Sequence, residues 1–197
     1  MVLKKPFNIC VFSSGGGGNF QSLLDHQPSI GYSITQLICD RECGAVERAN
    51  RHAVPVAVVT RGEDDQDSFF ERIERHIPQD SDLLVLAGFM PILPKAFCSR
   101  WSGMIINTHP SLLPKYGGKG MYGVRVQEAV LANSETRAGC TVHFVTEVID
   151  GGAIILQSSI EVRPHESAWD LGGRVFLEEN KLLPQAIKKL MDTMPVK

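Results

Sequence analysis

No apolar run in this chain comes near the ~20 residues that a membrane-spanning helix needs. The N-terminal Met1-Val-Leu-Lys-Lys-Pro-Phe7 has two lysines but neither the long apolar core nor the small-residue cleavage site of a leader. Neither a membrane protein nor a secretory signal is expected. Paired cysteines are missing too. The five present (Cys10, Cys39, Cys43, Cys98 and Cys140) are an odd set without a C-x-x-C spacing, which suits a reducing cytoplasm better than a disulfide-stapled secreted domain. Cys39 and Cys43 stand four apart, but no second Cys/His pair completes a zinc set, so no metal is expected. Excess charge of one sign is absent as well: 20 Lys and Arg against 22 Asp and Glu leave a net charge of −2. That balance argues against non-specific nucleic-acid binding and points to small-molecule partners. With no repeat, low-complexity tract or linker, the 197 residues are expected to form a single domain, 1–197.

What is present alternates between strand and helix. Phe7 to Ser13, Ile34 to Cys39, Val54 to Val59 and Asp82 to Gly88 are short apolar runs rich in β-formers. The last is apolar throughout and so reads as covered on both faces. Ala45 to His52 and Ser68 to Ile77 lie between them with helical spacing, and the polar stretch Arg61 to Asp67 reads as a solvated connection. Strands alternating with helices predict right-handed βαβ units and a parallel sheet. Farther on, Gly103 to Ile106 reads as a strand and Val124 to Ala132 as a helix. Gly139 to Thr146 and Ala153 to Gln157 are joined too briefly for a crossover helix, so they are expected to pair antiparallel. Ser167 and Asp170 have capping-box spacing for a last helix, which Pro184 is expected to kink or interrupt. The fold class is therefore α/β: a Rossmann-like three-layer sheet, mostly parallel, with antiparallel C-terminal strands.

Ligands of such a sheet bind at the C-terminal ends of the parallel strands. Three candidate stretches fall there. The first strand runs into Ser14-Gly-Gly-Gly-Gly-Asn19 and then a helix start, where glycines let backbone N–H groups approach an anion that the helix dipole favours. The loop nearly fits G-x-G-x-x-G, with Asp40 ending the next strand. Phe20, however, fills the third glycine position, and no Gly-Lys-Ser/Thr follows, so a mononucleotide-like phosphate is the better reading than a dinucleotide or a P-loop. The second stretch is Gly88-Phe89-Met90. The third is Asn107-Thr-His-Pro-Ser-Leu-Leu-Pro114. Asn107 and His109, two apart on an extended strand end, leave on the same side, so an amide donor sits beside an imidazole that titrates near neutrality. The glycines at 117, 118, 120 and 123 suggest a mobile loop nearby, a candidate lid. His143, on the penultimate strand, reads as structural rather than catalytic.

Together, Ser14 to Asn19, Leu86-Ala-Gly-Phe-Met90, Asn107 to Pro114 and Val142-His-Phe-Val-Thr-Glu-Val-Ile-Asp-Gly-Gly152 resemble the folate-dependent formyltransferases over almost the whole chain, in the same order. The Asn-x-His-Pro-Ser-Leu-Leu-Pro run is the specific element. The glycine–Asn loop narrows the resemblance to the purine-pathway branch. The resemblance implies transfer of a formyl group from 10-formyltetrahydrofolate, as co-substrate, to the amine of phosphoribosylglycinamide in de novo purine biosynthesis, by a cytoplasmic monomer or homodimer without metal. It implies Asn107, His109 and Asp150 as the catalytic set, Gly17, Gly18 and Asn19 at the substrate phosphate, and Glu179 at the ribose hydroxyls. Met90, Pro91, Ile92 and Leu93, with Thr146, Glu147, Val148, Ile149 and Asp150, would surround the folate. The chain departs from the pattern at Pro91 and Gln66, where relatives carry arginines, and in its glycine-rich loop Gly117 to Gly123. A methionyl-tRNA or amino-sugar formyltransferase is a nearer rival, but those usually carry a further domain, and a tRNA reader should be basic. A binding module without catalysis is the rival of a different class, and intact Asn107, His109 and Asp150 argue against it.

Overall fold

The computed structural model describes residues 6–193; the N-terminal stretch read above for a leader lies largely outside them. The elements run β1 Phe7–Ser13, α1 Gly18–Ile30, β2 Tyr32–Cys39, α2 Gly44–Arg51, β3 Val56–Val58, α3 Gln66–Glu74, β4 Leu83–Leu86, α4 Lys95–Arg100, β5 Ile105–His109, α5 Val124–Ala132, β6 Arg137–Phe144, β7 Ile154–Glu161 and α6 Ala168–Thr193. The strands form one sheet in the order β3-β2-β1-β4-β5-β6-β7. The pairings from β3 across to β5 are parallel, and β6 and β7 are added antiparallel. The sheet is thus mostly parallel with antiparallel C-terminal strands, as expected.

Period-2 alternation along the strands divides the core into two layers. Ile9, Val11, Leu37, Leu83, Val85, Ile106 and Val142 face one way, onto apolar residues of α1, α2, α5 and α6. Cys10, Phe12, Ile38, Leu84, Leu86 and Ile105 face the other way, onto Phe69, Phe70 and Ile73 of α3 and Phe97 of α4. The same alternation carried to the end of β5 sends Thr108 toward α6 and leaves Asn107 and His109 on the opposite face, past the end of the second apolar layer. β1 has β2 on one side and β4 on the other, so the chain order reverses there and a crevice opens at the C-terminal strand ends.

Three features differ from the sequence reading. The six-residue α4 was not expected; Pro94 sits at its N-cap in extended conformation, and a single turn and a half leaves little periodicity to read. The segment Arg61 to Asp67 is not only a connection, since α3 begins at Gln66 and Asp65 caps it by accepting from the Ser68 N–H at 2.8 Å. Most instructively, α6 runs uninterrupted through Pro184 for 26 residues. Proline removes the N–H that would bond the carbonyl four residues back. That carbonyl, of Asn180, instead accepts from the Ser22 hydroxyl on α1, so a side chain of the neighbouring helix repairs the gap. The expected cap does form: the Ser167 hydroxyl accepts from the Asp170 N–H at 3.1 Å, and the Asp170 carboxylate accepts in return from the Ser167 N–H at 3.3 Å. Among the described residues, no helix is long and apolar enough to cross a membrane.

Candidate active site

The antiparallel register of β5 against β6 sets Asn107 opposite His143 and His109 opposite Thr141. Directly opposed residues of such a pair have neighbouring side chains, and the amide nitrogen of Asn107 lies 3.4 Å from His143 Nε2. His143 Nδ1 lies 2.9 Å from the Phe144 carbonyl. A carbonyl only accepts, so Nδ1 carries the proton and Nε2 presents the lone pair that receives the Asn107 N–H. Burial, the main influence, holds the His143 imidazole below its ordinary pKa, against the Phe144 carbonyl and Asp150, which act the other way. A neutral His143 therefore fixes which way the Asn107 amide points, leaving its second N–H for a ligand. His143 was read from sequence as structural; the structure makes it part of the cluster. Its signal was the polar face of β6, Thr141 and His143, brought beside Asn107 by a pairing that the sequence does not state.

Asp150 completes the cluster from the loop between β6 and β7. Its two carboxylate oxygens stand 3.6 Å from His109 Nδ1 and 3.6 Å from His143 Nε2. The oxygen facing His109 also accepts the Gly118 N–H at 2.9 Å. The backbone of Asp150 is left-handed, φ 54°, a conformation that aspartate and asparagine tolerate better than most residues. On its other edge, His109 Nε2 is 2.8 Å from the Tyr116 carbonyl, so Nε2 carries a proton. Both ring nitrogens of His109 thus face oxygen atoms, the Tyr116 carbonyl at Nε2 and the Asp150 carboxylate near Nδ1.

The glycine loop lies across the crevice at the end of β1. Helix α1 starts there with Gly17 at its N-cap and no side-chain cap, which leaves its first N–H groups unpaired by the helix. The Gly15 and Gly16 carbonyls are turned back toward α2, accepting from Ala45 N–H at 3.1 Å and Arg48 Nε at 2.8 Å, so Arg48 adds a cation behind the loop. Ser14 ties the loop to the end of β4: its N–H donates to the Gly88 carbonyl and its hydroxyl accepts from the Met90 N–H. Gly17 is glycine for a reason internal to the fold. At φ 71° it is left-handed, and a Cβ would strike Ala45 of α2 at 2.7 Å. At Gly18 a Cβ would run into the ring of Phe176. Gly15 and Gly16 are different, with no heavy atom within 4 Å of an added Cβ.

Glu179, on α6, is 6% exposed and accepts the Thr108 hydroxyl at 2.8 Å. Asn19 is buried beside it, its side chain hydrogen-bonded to the Glu179 carboxyl and its Oδ1 without a partner. Burial raises the Glu179 carboxyl to about 7, with Thr108 and Asn19 pulling it down. Because the folded value lies above the usual 4.5, this group opposes folding increasingly as pH rises from about 4.5 to 7, by at most about 3 kcal/mol at the top of that window. Glu179→Gln keeps an acceptor for Thr108 and cannot ionise. Its melting temperature relative to wild type is expected to rise between pH 5 and pH 8; a pH-independent difference would show that the buried carboxyl titrates normally.

Of the nine residues read as the folate pocket, Met90, Pro91 and Ile92 line a cleft of about 310 Å³ together with Arg61, Gln66, Phe69 and Phe70. Leu93 and Thr146 to Asp150 are not on its lining. Leu93 packs with Val145 against the second apolar layer, Glu147 pairs with Lys95 at 2.7 Å, and Val148 is 63% exposed. The Gln66 amide donates to the Ile92 carbonyl at 2.6 Å and so shapes the cleft wall. Arg61, which sequence reasoning assigned to a solvated connection, supplies the cation in this cleft.

Comparison with known proteins gives the family. A model of the formyl transferase family matches residues 7–187. The phosphoribosylglycinamide formyltransferase of Haemophilus influenzae is 36% identical over 91% of this chain and 85% of its own, and the chloroplastic one of Vigna unguiculata 32% identical over 93% of this chain. The chain spans about three fifths of the length of that plant protein, 61%. Among solved structures, a phosphoribosylglycinamide formyltransferase of Coxiella burnetii superimposes with a TM-score of 0.86 at 34% identity, over 93% of this chain and 86% of its own. A family model that covers the sheet, the glycine loop and the Asn107 to Asp150 cluster leaves one conclusion: the chain belongs to the formyl transferase family.

Proposed function

We propose that this protein transfers the formyl group of 10-formyltetrahydrofolate to the amine of phosphoribosylglycinamide. The observation that carries the reading is the convergence of Asn107, His109 and Asp150 at the strand ends, facing an uncapped helix start in a glycine loop. In this reading the loop N–H groups from Gly15 to Asn19, with Arg48 behind them, hold the phosphate. Glu179 lies at the ribose side. The Met90–Ile92 cleft takes the folate, its phenylalanine floor suiting a flat ring system and Arg61 an acidic tail.

The reaction joins the amine nitrogen to the formyl carbon and breaks the bond from that carbon to the folate nitrogen. The carbonyl oxygen gains negative charge on the way, and the free Asn107 N–H and the His109 ring are placed to stabilise it. The departing nitrogen gains a proton and the attacking amine loses one. His109 can mediate both at neutral pH, directly or through water. Asp150 favours the protonated ring by its charge.

The test is an assay with phosphoribosylglycinamide and 10-formyltetrahydrofolate that follows both formyl product and free formate. Product formation that depends on the ribonucleotide supports the transferase. Formate release without it would replace the reading by a hydrolase, and transfer to an amino sugar or aminoacyl-tRNA would move the acceptor. The phosphate loop has its own test. Gly16→Val adds bulk only where the fold has room, so thermal stability should hold while KM for the ribonucleotide rises roughly tenfold or more, the scale on which one misplaced group acts in a fitted site. KM for folate should change little. An unaltered ribonucleotide KM would remove the loop from the site.

A further inference from the structure

We propose that Glu135 is a positioning residue of the active site: from outside the catalytic cluster it holds Tyr116, whose carbonyl keeps the proton of His109 on Nε2. This rests on His109 acting as the proton-transfer group of the proposed reaction. The chain of contacts is continuous. His109 Nε2 donates to the Tyr116 carbonyl at 2.8 Å. The Tyr116 hydroxyl donates to Glu135 Oε1 at 2.9 Å, and the same oxygen takes Lys115 Nζ at 2.7 Å. The carbonyl of Lys115 in turn accepts the Ser111 hydroxyl at 2.6 Å.

Tyr116 needs such a hold. Its φ is 56°, the left-handed region, which a bulky aromatic residue rarely adopts unless its surroundings impose it. It also stands at the start of the run Gly117-Gly118, whose backbone supplies little stiffness of its own. The Tyr116 carbonyl is aimed at His109 only while that conformation lasts. The opposite edge of His109 is set by Asp150, which also faces His143, and those groups cannot replace the missing carbonyl at Nε2. The ring's tautomer and tilt therefore depend on a tyrosine whose far end is fastened by Glu135.

Glu135 is suited to that task. It follows α5 and leads into β6, and its N–H donates to the Val130 carbonyl at 3.2 Å, so its backbone is tied to the helix end. Its side chain is 24% exposed, and the two donors hold its carboxyl below the usual range. It stands with Lys115 and Tyr116 in the wall of a second cavity of about 420 Å³, whose lining also includes Leu112, Pro114 and Val130. Neither Asp150 nor Asn107 is on that wall, which separates Glu135 from the reacting groups.

The test uses Glu135→Ala, Glu135→Gln and Tyr116→Phe in the full chain. Glu135→Ala and Tyr116→Phe each cut the fastening. Both should lower kcat by about tenfold, part of the 10²–10⁴ that acid–base catalysis supplies, with both KM values within about twofold. Glu135→Gln still accepts from Tyr116 and should recover most of the rate. Nitrogen-15 spectra of the His109 ring give a readout independent of activity: a single Nε2–H form in the wild type and Glu135→Gln, and a changed or averaged signal in the other two. If Glu135→Ala fails to fold, Tyr116→Phe carries the test alone. Unchanged ring signals and kcat in Tyr116→Phe would overturn the proposal and leave Glu135 a surface ion pair. Altered ring signals in a protein without formyl transfer would keep the positioning and remove the proposed reaction.

Discussion

Asp150→Asn is expected to lower kcat by about 10²–10⁴, the usual span of a general acid–base contribution, while KM for the ribonucleotide stays near wild type. Asparagine is the severe test here because it preserves everything about Asp150 except the charge. It accepts the left-handed backbone at φ 54° as readily as aspartate. Its amide oxygen can still take the Gly118 N–H, as the carboxylate oxygen does at 2.9 Å. What disappears is the negative charge 3.6 Å from both imidazoles. His109 then has a neutral neighbour at Nδ1, and the positive charge that its ring carries during proton transfer loses its partner. The glycine loop proposed to hold the phosphate belongs to β1 and α1 and is not changed, so the loss belongs in kcat. If kcat stays near wild type, Asp150 serves only the turn and the Gly118 contact.

Much of this architecture was legible because it is local. The apolar runs of β1 and β4, the glycine loop before α1 and the placement of Asn107 and His109 on one side of β5 follow from period-2 alternation and from glycine at a strand–helix junction. What escaped depends on pairings between distant segments. His143 joins the cluster only through the register of β6 against β5. Pro184 reads as a helix breaker until Ser22, 158 residues from its partner Asn180 in the chain, takes the orphaned carbonyl. Gly17 and Gly16 look alike in sequence, yet one is required by φ and by contact with Ala45 while the other faces open space. That distinction makes Gly16 rather than Gly17 the informative position for a substitution. The nine residues read as the folate pocket do not all share one cavity wall either: Met90, Pro91 and Ile92 line one cleft, whereas in the Thr146 to Asp150 loop Glu147 pairs with Lys95.

Asn107→Ala should reduce kcat by about 10²–10³, the range found on removing one oxyanion donor. The reason lies in how the amide is held. One N–H is committed to His143 Nε2 at 3.4 Å, and because the Phe144 carbonyl fixes the proton of His143 on Nδ1, the amide cannot turn its oxygen to that ring without facing a lone pair. The second N–H is therefore aimed in advance, and no reorganisation is needed when charge develops on the formyl oxygen. Alanine removes that donor while β5 keeps its pairing to β4 and β6, which runs through the backbone, so both KM values and thermal stability should stay close to wild type. In the proposed reaction His109 is the other group facing the developing charge, and the two would act as a unit. The Asn107→Ala, His109→Ala double variant should thus be little slower than the worse single variant, because effects within such a unit are far from additive. If Asn107→Ala stays within threefold of the wild-type kcat, the oxyanion is held by His109 alone and the His143–Asn107 contact is structural; if the two losses multiply in the double variant, the residues act in separate steps.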